Sequence, residues 1–225
     1  MSTPDTLPKQ AASQEQKIWD LPTRVFHWML VLCFAGAWLT AESERTQLLH
    51  LTLGYCAGAL VLWRVVWGVA GSRYALFSEF VRSPAAAQRY LQAYLPGSTL
   101  AAPRRYLGHN PAGGWAVLGL LALMLLAVLS GWWAYQAGAP DMAGEAHEVL
   151  SHAMLILIAL HVLAVVATGF KHRENLVRAM WTGRKRANPE QAIRSSHVLI
   201  GLVLFAAVTW LGWALYTGRL PALTA

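Results

Sequence analysis

Covalent chemistry is thinly supplied in this sequence. Among 225 residues there are two cysteines, Cys33 and Cys56, and no CxxC or CxxCH motif occurs. A disulfide framework and a covalently attached haem are thereby both excluded. Each cysteine lies six residues past a histidine and well round a helix from it, so packing accounts for both. Charge is also scarce, at 13% of residues, and acid scarcest, with 11 Asp and Glu against 18 Lys and Arg. No long polar segment, fixed-period repeat or low-complexity tract breaks the chain. The first apolar run has no small-residue cleavage site after it, which favours a retained span over a removable signal.

What is present is apolar length. The chain is 56% hydrophobic with a mean hydropathy of +0.39, a composition that fits an integral membrane protein. Five runs are long enough to cross a bilayer: 25–41, 49–69, 114–135, 149–170 and 198–216. The formal charge of +7 is not spread as a nucleic-acid surface. Lys9, Lys17 and Arg24 precede the first run; Arg73, Arg82, Arg89, Arg104 and Arg105 separate the second and third. Seven more Lys and Arg, from Lys171 to Arg194, separate the fourth and fifth. The connections 42–47 and 136–148 hold five acids and one arginine. This alternation predicts a cytoplasmic N-terminus and a periplasmic C-terminus, and no nucleic-acid partner. Two short amphipathic helices are expected on the cytoplasmic surface. One begins at Ser83-Pro84 and ends at Pro96-Gly97; the other falls within 174–186, where a continued span with a basic tail is the alternative. Residues 1–17 read as a disordered cytoplasmic terminus, 18–186 as the main domain and 187–225 as an additional C-terminal helix.

Histidines give the spans a purpose. His147 and His161 lie 14 residues apart in and beside the fourth run, so both leave one helix face, about 21 Å apart along the axis. Ionisable side chains in a span default to a functional reading. His27 begins the first run and His50 the second. The topology pairs His27 with His161 near the cytoplasm and His50 with His147 near the outer surface. Each pair joins two helices, as an iron with two axial imidazoles requires, and such closed ligation suits electron transfer. His152 falls on the far side of the same helix and is read as structural or lipid-facing. His172 and His197 are read as solvated or interfacial.

Arg64, 14 residues beyond His50, is the one charge deep in a run. It is open to two readings, a pair with an inner haem propionate or snorkelling to headgroups. Arg24 is a similar candidate for a propionate. Gly54 and Gly169 lie on ligand faces, where small residues admit a flat cofactor or close helix packing.

The segments KIWDLPTRVFHW (17–28), LLHLTLGY (48–55), YLGHNPAGGW (106–115), HEVLSHAMLILIALH (147–161) and KHRENLVRAMWTGRK (171–185) resemble motifs of bacterial cytochrome b561-type proteins. That family is related to the b-type cytochrome subunit of nickel–iron hydrogenases. The resemblance spans roughly 18–185. It implies an all-α, four-helix transmembrane bundle holding two non-covalent b haems on His27, His50, His147 and His161, to which this chain adds a fifth C-terminal span. It also implies a bacterial inner-membrane electron carrier between a periplasmic partner, such as a c-type cytochrome or an oxidoreductase subunit, and the quinone pool. Such a chain is either a quinone-linked oxidoreductase or an electron-transfer subunit of one, and an oligomer is compatible. His109 is then a contact for a quinone, a propionate or loop backbone, with proton shuttling as one use. A stand-alone oxidoreductase acting on a diffusible substrate such as superoxide is the first alternative. A non-haem transporter or metal-binding membrane protein is the second.

Overall fold

The computed structural model describes residues 14–95, 97–101 and 104–220. The chain runs β1 (Gln14–Lys17), α1 (Leu21–Leu39), α2 (Gln47–Ala70), α3 (Phe77–Phe80), α4 (Pro84–Gln92), α5 (Pro111–Ala134), α6 (Asp141–His172), α7 (Leu176–Thr182), β2 (Arg184–Ala187) and α8 (Val198–Tyr216). Among the described residues four stretches are long and apolar enough to cross a membrane: 44–70, 111–134, 141–172 and 198–216. The first of the five expected spans, α1, is 19 residues long but falls outside that set. Arg24 and His27 lower the hydropathy of its first turns.

Start signals explain where the helices begin. Asp20 caps α1 by accepting from Thr23 N at 2.7 Å, with Pro22 in the first turn. Asn110 does the same for α5, accepting from Gly113 N at 2.7 Å, and Ser83 caps α4 through Ala86 N at 3.3 Å. The fourth expected run is longer than its apolar core. Residues 141–148, expected as a connection, form the first two turns of α6, because nothing between Asp141 and His147 breaks a helix. The expected helix over 174–186 divides at Gly183, whose φ of +78° turns the chain into β2. A Cβ there would also lie 2.7 Å from Trp19 O. Of the Pro96-Gly97 stop, Pro96 lies outside the described residues.

The N-terminus departs from expectation. Gln14–Lys17, read as part of a disordered tail, form β1 and pair antiparallel with β2, Gln14 opposite Ala187 and Lys17 opposite Arg184. Ile18 N and Trp19 N then donate to Gly183 O, and Ile193 N donates to Lys17 O. Ile18, Trp19, Tyr74, Ala187 and Ile193 are buried together beneath this ribbon. Burial of that cluster is what offsets the entropy of ordering a polar tetrapeptide.

The main core lies between α1, α2, α5 and α8, around Phe26, Cys33, Leu60, Val61, Leu121, Met124, Leu204 and Val208. Thus α8 packs on α1 and α2 as a full member of the bundle. Helix α6 is different. It packs along α5 and, among the described residues, has no extended packing with α1 or α2. Only Met154 and the partly buried Ile158 of α6 join the core.

Candidate haem site

The face of α6 bearing His147 and His161 also carries Met154, which is 2% exposed and joins the core. His50 on α2 and His147 on α6 meet with ring centroids 6.0 Å apart and planes at 85°. An iron between two imidazoles, with metal–nitrogen bonds of about 2 Å each, needs a centroid separation of about 6 Å. Each ring is held from behind. His50 Nδ1 lies 2.8 Å from Ala37 O at the end of α1, and His147 Nδ1 lies 2.8 Å from Ala127 O on α5. A carbonyl can only accept, so both Nδ1 atoms carry the proton and both Nε2 atoms keep a free lone pair. That is the tautomer a metal ligand needs, fixed by its outer partner. Ser130 Oγ stands 3.5 Å from His147 Nδ1 while donating to Ala127 O. Gly131 makes room: a Cβ there would lie 2.9 Å from His147 Cε1 and Nδ1.

The other pair lies at the opposite end of the bundle. His27 on α1 and His161 on α6 are close enough for their charges to interact. Around them polar atoms lack partners. His27 Nδ1, Trp28 Nε1, Arg64 Nη1 and His109 Nδ1 are all sealed from solvent without a hydrogen bond among the described residues. An unmet buried donor costs about 1–3 kcal/mol, so several at one level of a bundle mark a place for a polar ligand. A haem fits that description, with a flat apolar ring and acceptor propionates. Among the described residues no three His, Cys, Asp or Glu side chains converge as a metal site. Two imidazoles suffice only where a macrocycle supplies the remaining donors.

Arg64 is 2% exposed and does not reach solvent. Its Nη2 donates to Ala75 O at 2.9 Å, and its guanidinium lies over Phe77 and Phe80 at 5.0 and 5.9 Å. Arg24 is engaged differently, donating through Nε to Met180 O at 3.3 Å and through Nη2 to Trp181 O at the end of α7. Its positive charge suits those terminal carbonyls. His109 is wedged against Phe80 (4.6 Å) and Trp19 (5.0 Å). Burial pushes its imidazole down to about 3, reinforced by the positive fields of Arg64, His161, Lys185 and His27. Its Nδ1 is sealed from solvent without a hydrogen-bond partner among the described residues.

Sequence reasoning missed several neighbours. Asp20 is fully buried and accepts from Trp67 Nε1 at 3.0 Å, near enough to Arg64 for their charges to interact. An Asp before Leu-Pro is a helix-start signal that could have found it. Lys185 is 5% exposed and donates to Tyr106 O, Leu107 O and Glu174 Oε2 at 3.0–3.2 Å. Arg105 joins the same carboxylate at 2.9 Å. Of the other histidines, His152 is exposed, edge-on to Trp38 at 5.3 Å. His172 Nε2 lies 3.4 Å from Tyr94 Oη. His197 begins α8 with a positive φ of 47°, edge-on to Trp67 at 5.2 Å. Gly54 has nothing within 4 Å of its Cβ position, leaving open space one turn from His50.

No curated protein and no solved structure matches this chain. A family model described as prokaryotic cytochrome b561 matches residues 18–183, a region that carries all four paired histidines and every residue of the orphaned cluster. The chain belongs to the prokaryotic cytochrome b561 family.

Proposed function

We propose that this membrane b-type cytochrome binds two haems and carries electrons across the bacterial inner membrane between a periplasmic redox protein and the quinone pool. The observation that carries the reading is the His50–His147 pair, two imidazoles at iron-bridging separation, each with Nδ1 anchored on a carbonyl of a neighbouring helix. When bound, each haem supplies a reversible one-electron iron couple. The residues do the rest. His50 and His147 grip the outer group, and the carbonyls of Ala37 and Ala127 hold their rings in the liganding tautomer. His27 and His161 grip the inner one, where Arg64 Nη1 and His109 Nδ1 offer unmet hydrogen-bonding capacity to propionates.

In this reading α1 also spans the membrane, bringing the number of spans to five, with its first turns in the cytoplasmic headgroup layer where Arg24 and Trp28 belong. The N-terminus and the β1–β2 ribbon are cytoplasmic, and the acid-bearing connections are periplasmic. The two groups are separated by about 21 Å along α6, close enough for the ring edges to exchange electrons directly.

Purified protein tests this by haem content and reduced spectrum. Two b-type haems per chain are expected, reduced in two potentiometric waves. One haem or none per chain overturns the reading.

A further inference from the structure

A shallow concavity of about 290 Å³ lies between α4 and the start of α5, and none of the paired histidines lines it. Its walls include Ala86, Arg89 and Tyr90 of α4, Arg104 and Tyr106 of the following connection, and Pro111, the first residue of α5. We propose that this concavity binds the phosphate headgroup of an anionic phospholipid such as phosphatidylglycerol. The inference takes only its leaflet, the cytoplasmic one, from the orientation proposed above.

Charge is the first argument. Between Glu79 and Asp141 the chain has no Asp or Glu, so α4, the connection after it and α5 supply no acid. Glu79 already pairs with Arg73 at 3.4 Å, and Glu174 with Arg105 at 2.9 Å and Lys185 at 3.2 Å. The other ion pair among the described residues joins Arg178 to Glu15. Arg89 and Arg104 are therefore two exposed cations lining one concavity without a counter-charge among those residues. Neither side chain donates a hydrogen bond there. A guanidinium fork matches two phosphate oxygens at once, and basic pockets at membrane level on the cytoplasmic side suit anionic headgroups.

Depth is the second argument, and it separates a lipid from a soluble phosphate. Helix α5 is long and apolar enough to cross a membrane, so Pro111 at its start lies near one surface. Trp115, about 6 Å further along the axis, is 41% exposed and donates through Nε1 to Arg82 O at 3.0 Å. An outward tryptophan with its N–H tied back toward the surface belongs in the interfacial layer. Leu91 of α4 and Leu95 just past it are 57% and 61% exposed. Such leucines beside Arg89 fit a helix lying in the interface with its apolar side in the acyl boundary. A phosphate with acyl chains attached meets both the arginines and this apolar border, whereas a soluble phosphate meets the arginines alone.

Occupancy also fastens α4. Tyr90 walls the concavity with its ring 5.9 Å from that of Tyr106. Its Oη lies 3.0 Å from Tyr94 Oη, which lies 3.4 Å from His172 Nε2 at the end of α6. A lipid held by Arg89 and Arg104 bridges α4 to the connection entering α5, and it backs the tyrosines that reach α6.

The test uses the full-length, haem-loaded protein in detergent, with lipid retention read by native mass spectrometry. Dioleoylphosphatidylglycerol is titrated against dioleoylphosphatidylcholine, which has the same chains and no net charge. The wild type should retain phosphatidylglycerol in preference to phosphatidylcholine. Arg89→Gln and Arg104→Gln should each weaken that retention about fivefold, with haem content at the wild-type level. Arg178→Gln makes the same charge change at an exposed position outside the concavity and should leave retention unchanged. Wild-type retention in both concavity variants, or equal weakening by Arg178→Gln, overturns the inference. Glycerol 3-phosphate at equal concentration should fail to compete; full competition makes the ligand a soluble phosphate and overturns the lipid assignment. Thermal unfolding of the wild type gives a reading free of substitutions. Phosphatidylglycerol should raise the midpoint saturably where phosphatidylcholine does not, and equal midpoints overturn the site. None of these outcomes bears on haem number or potential, so the electron-transfer reading stands or falls apart from them.

Discussion

Gly131→Ala puts a number on how tightly the outer histidine pair is built. In an exposed helix this change is favourable by about 1 kcal/mol, because alanine loses less backbone freedom than glycine. Here the new methyl would sit 2.9 Å from His147 Cε1 and Nδ1, well inside the 3.5–4.0 Å of an ordinary contact. The imidazole is the atom group that can yield, and yielding breaks its 2.8 Å bond to Ala127 O, a loss of about 1 kcal/mol. It also frees the ring from the partner that aims Nε2. Loss of such outer support typically costs 10–100-fold in metal affinity, or about 1.4–2.8 kcal/mol. The losses exceed the helix gain, so the outer haem should be depleted or its potential displaced while the inner haem stays. Gly144→Ala is the control, being exposed on α6, the helix of His147, with nothing within 4 Å of its Cβ position, and should keep both haems. Haem-to-protein ratio and a two-wave potentiometric titration read the result. Two haems with unchanged outer potential in Gly131→Ala would refute the claim that His147 is a positioned ligand.

Replacing His50 or His147 with alanine should remove one haem and spare the other; replacing His27 or His161 should remove the complementary one. Haem quantification with resolved low-temperature spectra checks this, and loss of the same haem in all four would break the pairing. Arg64→Leu should destabilise the protein by about 1.5–3 kcal/mol, since Ala75 O loses its charged donor, and should lower the inner potential by withdrawing a positive charge. Thermal unfolding and potentiometry report the two effects, and Arg64→Lys should recover part of both. Burial is the larger influence on Lys185 and lowers its pKa, while Glu174 acts to raise it. A base whose folded pKa is depressed penalises the folded state while protonated. The β1–β2 clamp should therefore gain stability as pH rises through that lowered value toward the ordinary lysine range. Limited proteolysis near 182–188 across that window measures it. Glu174→Gln should depress Lys185 further and raise cleavage at neutral pH.

The helices were legible because lipid-length apolar runs and their caps are local properties. Val198–Tyr216 emerged with the expected bounds, whereas α6 ran on to Asp141 because hydropathy marks the greasy core of a helix and not its polar first turns. The β1 strand was invisible for the opposite reason. Gln-Glu-Gln-Lys has no alternation of its own and is ordered by a partner far along the chain. Helical arithmetic placed His147 and His161 on one face, and topology set His50 opposite His147. It could not supply Ala37 O and Ala127 O, because backbone carbonyls carry no residue signature and their availability depends on how neighbouring helices abut. Arg64 shows the same limit. Its depth followed from counting, but only packing reveals that it turns onto Ala75 O and the rings of Phe77 and Phe80 rather than toward headgroups.

The separation of α6 from α1 and α2 ties these observations to one physical cause. In lipid, an apolar face gains little by leaving hydrocarbon for another helix, so packing shape and polar satisfaction decide which helices touch. Along α5, Gly119 admits Leu157 and Gly131 admits His147, and the two helices close up. Toward α1 and α2, α6 instead presents two imidazoles, and imidazoles cannot pack as alanine or glycine do. Between them Met154, 2% exposed, makes the core contact of that face, and a buried unmet nitrogen beside it costs more than an exposed one in water. In the proposed reading the two haems, held by these imidazoles, would add to the Met154 contact and join α6 to the rest of the bundle, as well as carrying its electrons.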